Sequence, residues 1–214
     1  LIFSNSNLSR KKTLLFFSGL VLGFAIWVMH FVGMLACHLP EGYKFSPSVT
    51  FFSYVIGAAA SIFAVWLTTR ETLPLSRLVL GSFVMGIGIS GHYTGMVGLI
   101  IPGHVIHYNT ILVILSVLIA ICGTGLTFWL YFKVKQTNSN HFILKLTVAA
   151  LLAISIVGMH YTGMAAASFH TIQESISAMA VQEGPGLMLF VIIAITCLIL
   201  VASFAVAILE LRLE

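Results

Sequence analysis

The chain has 214 residues, 59% of them hydrophobic and only 7% charged. Soluble domains carry about 25% charged residues, so this surface could not be kept in water and a soluble protein is excluded. The net charge of +4 does not indicate nucleic acid, because the charges sit in short clusters between apolar runs, as the loop charges that orient a membrane protein do.

A spanning helix needs about 20 mostly apolar residues. Six such runs follow one another, roughly Thr13 to Ala36, Val49 to Thr69, Leu78 to Ile101, Thr110 to Phe132, Phe142 to Phe169 and Gly186 to Glu210. They are apolar on every face, and backbone groups in hydrocarbon need internal partners. The runs are therefore expected to be helices, and the fold class an all-α polytopic bundle. Pro40, Pro47, Pro74 and Pro102 mark the first three loops, and Gln136 to Asn140 is a polar turn. The segment from His170 to Pro185 is the longest loop, with a short amphipathic helix suggested by Ile172, Ile176 and Met179.

Arg10, Lys11 and Lys12 precede a run of full spanning length, so no cleavable signal peptide is evident. The chain starts at Leu1 and is expected to be a piece of a longer protein. Arg10, Lys11, Lys12, Arg70, Arg77, Lys133, Lys135, Lys145 and Arg212 fall on one side of the spans, and only Lys44 falls on the other. The excess of basic residues marks the cytoplasmic side. Both ends of the chain are then cytoplasmic, and the loops around 37–48, 102–109 and 170–185 face outward. His30, His38, His92, His104, His107, His160 and His170 lie in or near the outer half, and only His141 lies inside. Cys37, Cys122 and Cys197 have no zinc-like spacing; the last two fall mid-span and are expected to pack as small hydrophobes.

One pattern recurs. Met29-His30-Phe31-Val32-Gly33-Met34, Gly91-His92-Tyr93-Thr94-Gly95-Met96 and Met159-His160-Tyr161-Thr162-Gly163-Met164 each fall in the outer part of the first, third or fifth run. This spacing predicts three helix-pair repeats running in the same direction. His at i and Met at i+4 share a helix face, giving the pairs His30/Met34, His92/Met96 and His160/Met164. The glycine before each Met permits close helix approach. If the three helices face a common axis, imidazoles and thioethers converge. Thioether beside imidazole selects Cu(I) first, haem second and zinc third; no carboxylate is present for calcium or magnesium. Against this stand the ordinary roles of such residues: an intramembrane His bonded to a neighbouring helix, and Met as core filler. Met29 and Met159 lie about 100° around the helix from the adjacent His, and are packing residues or ligands to a second ion. Tyr93 and Tyr161 either orient the ligands or belong to the interfacial aromatic belt. Thr94 and Thr162 commonly bond back to their own helix. His38, His104, His107 and His170 are loop residues, solvated or available as loading ligands.

The repeated string, complete at Met159-His160-Tyr161-Thr162, resembles the MHYT domain, a bacterial integral membrane sensor domain, over nearly the whole chain. The resemblance implies seven spans, of which the first is missing here, with Leu1 to Asn7 as its tail or the linker after it. It implies copper held near the outer face by Met29, His30, Met34, His92, Met96, Met159, His160 and Met164; Tyr93, Tyr161, Thr94 and Thr162 are read from the residues themselves as candidates to stand behind these ligands. It also implies sensing of a diatomic gas (oxygen, carbon monoxide or nitric oxide) and a cytoplasmic output module on the same chain, often one that makes or degrades cyclic di-GMP. Gly91 stands where the family usually has Met, and Phe31 and Val32 stand for Tyr and Thr. The reading is thus one sensor domain over residues 1–214 in the bacterial inner membrane, not itself an enzyme and not a nucleic-acid binder, with a homodimer compatible. The alternatives are a copper transporter, a haem or copper redox membrane protein, and a purely structural bundle. Reporter fusions after residues 136 and 178 test the charge partition: they should report opposite compartments, and the same compartment for both would overturn the span count.

Overall fold

The computed structural model describes residues 2–68, 70, 72–136, 142–171, 190 and 192–201. Helix α1 (Ile2–Leu35) leads through a two-residue strand β1 (Lys44–Phe45) to α2 (Pro47–Thr68). Helices α3 (Leu75–Ile89) and α4 (His92–Val97) follow, then strands β2 (Leu99–Ile100) and β3 (His104–Tyr108). Helices α5 (Thr110–Gln136) and α6 (Phe142–Ala166) and strand β4 (Ala167–Thr171) come next. Taking α3 and α4 as one segment, five helices are long and apolar enough to cross a membrane. Of the sixth apolar run, Ile192–Val201 is described and helical. Apart from Phe190, the remainder of that run, the amphipathic segment at Ile172, Ile176 and Met179, and His141 lie outside the described residues.

Only 22% to 39% of the most apolar window of each span is buried within the bundle. The outward faces carry Phe51, Leu75, Ile111 and Ile143, all more than 60% exposed. Apolar surface on this scale needs an apolar solvent, and the molecule is a multi-pass membrane protein. Cys122 is exposed on this outer surface too, a small hydrophobe as expected but outside the core.

The helices close on one another: α1 packs on α2, α2 on α3, α3 on α5, α5 on α6, and α6 returns to α1. Small residues set the spacing. A Cβ on Gly23 would come within 2.5 Å of the Ala58 backbone, and one on Gly86 within 2.8 Å of the Ile121 backbone. At one end of the ring the basic residues gather. Lys135 donates to the carbonyls of Thr68 and Arg70 at 2.9 and 2.7 Å, satisfying the C-terminal end of α2. Arg70 and Lys133 lie over the rings of Trp66 and Trp129. The opposite end carries Lys44.

Two features at that opposite end differ from the sequence expectation. The loops there are not irregular: β1 pairs with β2, and β3 with β4 from Tyr108↔Ala167 to His104↔Thr171, both antiparallel. Pairing with β3 ends α6 at Ala166, short of the expected Phe169, because the last residues of the run satisfy their backbone across the ribbon. The third span is also interrupted. Ser90 Oγ donates to the Gly86 carbonyl at 2.8 Å, and the Gly91 and Tyr93 amides reach back only three residues, to Gly88 and Ser90. Back-bonding by Ser in a glycine-rich stretch tightens the helix locally, and α4 restarts at His92.

Gly23→Ala should destabilise the bundle by about 1–3 kcal/mol, since the added methyl meets backbone that cannot yield. Gly57, where a Cβ would meet only the Gly23 carbonyl at 3.8 Å, should accept Ala without loss. Thermal midpoints of the purified proteins in detergent check the contrast.

Candidate metal centre

The three motif histidines sit on α1, α4 and α6, and each of these helices touches the other two. His30, His92 and His160 are all buried, at 5%, 4% and 0% exposure. Each offers a ring nitrogen within 4.8 Å of the others. The approach is through Nδ1: His92 to His30 at 2.8 Å and His160 to His92 at 3.3 Å. Ring centroids stand 4.7, 5.0 and 5.4 Å apart.

What lets the rings in is the motif glycine of a different helix. A Cβ on Gly95 would lie 2.6 Å from His30 Nε2, one on Gly163 2.8 Å from His92 Nε2, and one on Gly33 2.5 Å from His160 Nε2. The relation is cyclic. The first histidine seats on the second glycine, the second on the third, and the third on the first. The neighbouring aromatic repeats as well: Phe31, Tyr93 and Tyr161 stand edge-on to His30, His92 and His160 at 4.7, 4.9 and 5.0 Å, with interplanar angles of 74°, 74° and 75°.

The seats leave all three Nε2 atoms without a hydrogen-bond partner. The Nδ1 edge is thus the face this centre presents. His92 Nδ1 has one lone pair or one proton to offer, so protons alone satisfy only one of its two close contacts. A single cation among the three nitrogens uses every lone pair at once. Imidazole nitrogens about 2.0 Å from one metal stand roughly 3.3–3.5 Å apart between tetrahedral and trigonal angles. The His92–His160 spacing already matches, and the His30–His92 contact must open by a few tenths of an ångström. The residues present form a buried tri-imidazole site able to coordinate a metal ion.

The methionines divide into two groups. Met29 and Met159 line a cavity of about 20 Å³ together with the three histidines, Ser53 and Trp27. The Trp27 indole N–H donates to Ser53 Oγ and to the Thr50 carbonyl, both at 3.0 Å, holding that wall in place. Met34, Met96 and Met164 are buried in a separate apolar cluster with Phe31, Phe45 and Leu99, one helical turn from the histidines toward the ribbon end. Ile192, from the sixth run, joins the same cluster. A second cluster on the other side, around Met85, Leu67 and Phe128, includes Met159. Tyr93 turns toward α5, where its hydroxyl meets Ser116 Oγ at 2.6 Å. Tyr161 is 44% exposed, and Thr94 and Thr162 are partly buried. Sequence reasoning passed over Trp27, Ser53 and Ser116. Nothing in a Trp or Ser inside an apolar run distinguishes a wall of a site from ordinary packing.

A closed ring of apolar helices around a buried tri-imidazole centre defines an integral membrane protein with an internal metal-binding site. The chain belongs to the MHYT family, described as "Bacterial signalling protein N terminal repeat", which matches at residues 23–81 and 86–143. It is 37% identical over 195 residues to the bifunctional diguanylate cyclase/cyclic di-GMP phosphodiesterase MucR of Pseudomonas aeruginosa, covering 90% of this chain and 28% of that protein. It is 38% identical over 168 residues to the signaling protein YkoW of Bacillus subtilis, covering 75% of this chain and 20% of that one. The cyclic di-GMP phosphodiesterase NbdA of Pseudomonas aeruginosa is 35% identical over 164 residues, covering 75% and 21%. The chain thus spans between a fifth and just over a quarter of these three curated relatives. No solved structure matches it. The family is a sensor module and not a catalytic one, and this chain carries no catalytic motif.

Gly95→Ala should displace His30 and lower metal affinity by about 10–100-fold, the range for losing a group that orients a ligand. Gly158→Ala, whose Cβ would make only an ordinary 3.4 Å contact with Ile119, should leave affinity unchanged. Metal titration against a competing chelator reads both.

Proposed function

We propose that this chain is the sensory input domain, over residues 1–214, of a bacterial inner-membrane signalling protein. In this reading six spans form three parallel helix-pair repeats, with a seventh span preceding them and both ends of the chain cytoplasmic. Copper is held toward the extracytoplasmic side, and a diatomic gas or a change of redox state is the stimulus. The response passes to a cytoplasmic output module of the cyclic di-GMP type, as the names of MucR and NbdA suggest. The observation that carries the reading is the convergence of His30, His92 and His160 through Nδ1 inside a lipid-facing bundle.

The donor set supports copper over the alternatives. Imidazole alone suits zinc equally well, but Met29 and Met159 line the same cavity and thioether favours Cu(I). A cavity of about 20 Å³ has room for about one water-sized group beside the imidazoles, not for a porphyrin. Met34, Met96 and Met164 lie where a soft ion would pass between the outer end and the imidazoles. A bound copper would supply a site for a small ligand or an electron. The chain's own residues hold it, exclude bulk water and tie three helices to one point. A stimulus that favours one spacing of these helices over another shifts their packing by its difference in affinity for the two arrangements. Transport fits less well, because the basic half holds an apolar cavity of about 160 Å³ in which Met85 is the only sulfur among the lining residues.

Protein purified without a polyhistidine tag and loaded under reducing conditions should carry copper at the tri-histidine centre. His92→Ala removes a ligand from the motif that lacks a preceding Met, and should weaken binding by at least about 100-fold, beyond the loss for an orienting group. His141→Ala, on the side read as cytoplasmic, should leave binding unchanged. Because imidazole binds metal only when neutral, copper should be released as the buffer is acidified. Wild-type protein without copper, or His92→Ala binding like wild type, would sink the assignment.

A further inference from the structure

The ribbon of β3 and β4 carries a second pair of imidazoles, separate from the buried centre. Val105 pairs with His170 and His107 pairs with Ser168. His107 and His170 are therefore diagonal neighbours on one face of the ribbon, within side-chain reach. Both are exposed. Their rings stand 5.1 Å apart at 86°, inside the 4.7–5.4 Å range found among the three buried imidazoles. Two imidazoles sharing one metal at about 2.0 Å per bond place their ring centres about 5 Å apart at a near-tetrahedral angle.

The hydrogen bonds around the pair prepare one ring for this role. Ser168 Oγ donates its single proton to the His107 carbonyl at 3.2 Å. The same oxygen lies 3.2 Å from His170 Nε2, and with its proton on the carbonyl it accepts there from the Nε2–H tautomer of His170. That leaves the His170 Nδ1 lone pair available. A ligand histidine is ordinarily oriented in this way, its other nitrogen donating to a fixed acceptor. His104 is on the opposite face of the ribbon, with its Nδ1 at 2.9 Å from the Pro102 carbonyl, and takes no part.

We propose that His107 and His170 form a surface site for a divalent transition-metal ion, Cu²⁺ in preference to Zn²⁺, at the end of the bundle away from the basic cluster. Nitrogen donors without thioether or thiolate bind Cu²⁺ most tightly of the common divalent ions. The remaining coordination positions face solvent and are filled by water, so the ion exchanges readily. The site stands on the ribbon geometry alone and does not require metal at the buried centre.

The test uses the intact protein in detergent, without a polyhistidine tag, titrated with Cu²⁺ and followed by electron paramagnetic resonance. A Cu²⁺ signal with two imidazole nitrogens, removed by washing with EDTA, is expected. His107→Ala and His170→Ala should each weaken this ion by roughly 100-fold, the gain from two ligands on one rigid ribbon. Ser168→Ala should weaken it by about 10-fold, the lower end for losing an orienting partner. His104→Ala and His92→Ala should leave it unchanged, and the second also separates this site from the buried one. Wild-type protein supplies an independent reading: Cu²⁺ should protect His107 and His170, and not His104, from carbethoxylation by diethyl pyrocarbonate. Equal Cu²⁺ affinity in wild type, His107→Ala and His170→Ala, or protection absent at both residues, would overturn the proposal. In that case the pair is a cross-strand ring contact only.

Discussion

An imidazole taken out of water into a bundle surrounded by hydrocarbon must find its partners within the protein, and three of them must find one another. Here the partners are the Nδ1 atoms of His30, His92 and His160. That requirement propagates outward. The rings can meet only if α1, α4 and α6 come close together. They can come close only because Gly33, Gly95 and Gly163 have no side chain where the neighbouring ring must lie. The small residues along the rest of the bundle, such as Gly23 against Ala58, keep the outer helices near enough to enclose the centre.

The centre is bounded by two apolar layers of different character. Toward the ribbons, Met34, Met96 and Met164 pack with aromatic residues. Toward the basic end, mostly apolar packing and a cavity whose lining holds Met85 as its one sulfur leave little for an ion to bind. The buried hydroxyls of Ser82, Thr124 and Thr127 in the basic half bond to backbone carbonyls, and the buried imidazoles are confined to one depth. A change there reaches the basic end only through the helices themselves, since no chain of polar side chains is seen to lead there among the described residues. Tyr93 is placed to couple the layers sideways, because its ring touches His92 and its hydroxyl is tied to Ser116 on α5.

Much of this was legible before any coordinates. Apolar run length located the membrane-crossing parts of the five long helices to within a few residues, because hydrocarbon leaves the backbone no other option; α1 itself begins at Ile2, ahead of its apolar run, where the tail of a preceding span or a linker was expected. The repeated His-x-x-Gly-Met string identified the three histidines that converge. Other features depend on information that spacing does not contain. A glycine announces close approach but not which helix approaches, so the cyclic seating of each ring on another motif's glycine had no local signal. The i to i+4 rule puts His30 and Met34 on one face, yet one turn along a helix is several ångströms, enough to place them in different layers. The interruption at Ser90–Gly91 hid in an unbroken apolar run, since hydropathy does not register hydrogen-bond register. The ribbon joins His107 to His170 across 63 positions, and a five-residue strand beside a span reads as its loop.

The cyclic seating also limits how many copies of the motif one such protein can use. Each copy presents two unlike surfaces, a ring and a seat, and each is engaged by a different neighbour. Head-to-tail contacts of this kind either close or run on indefinitely. These close after three steps, at a radius set by contact between imidazoles. A chain with only two copies would leave one ring and one seat vacant, and would need a third copy from another molecule. Loss of any one copy would leave a single ring-on-glycine contact between the other two.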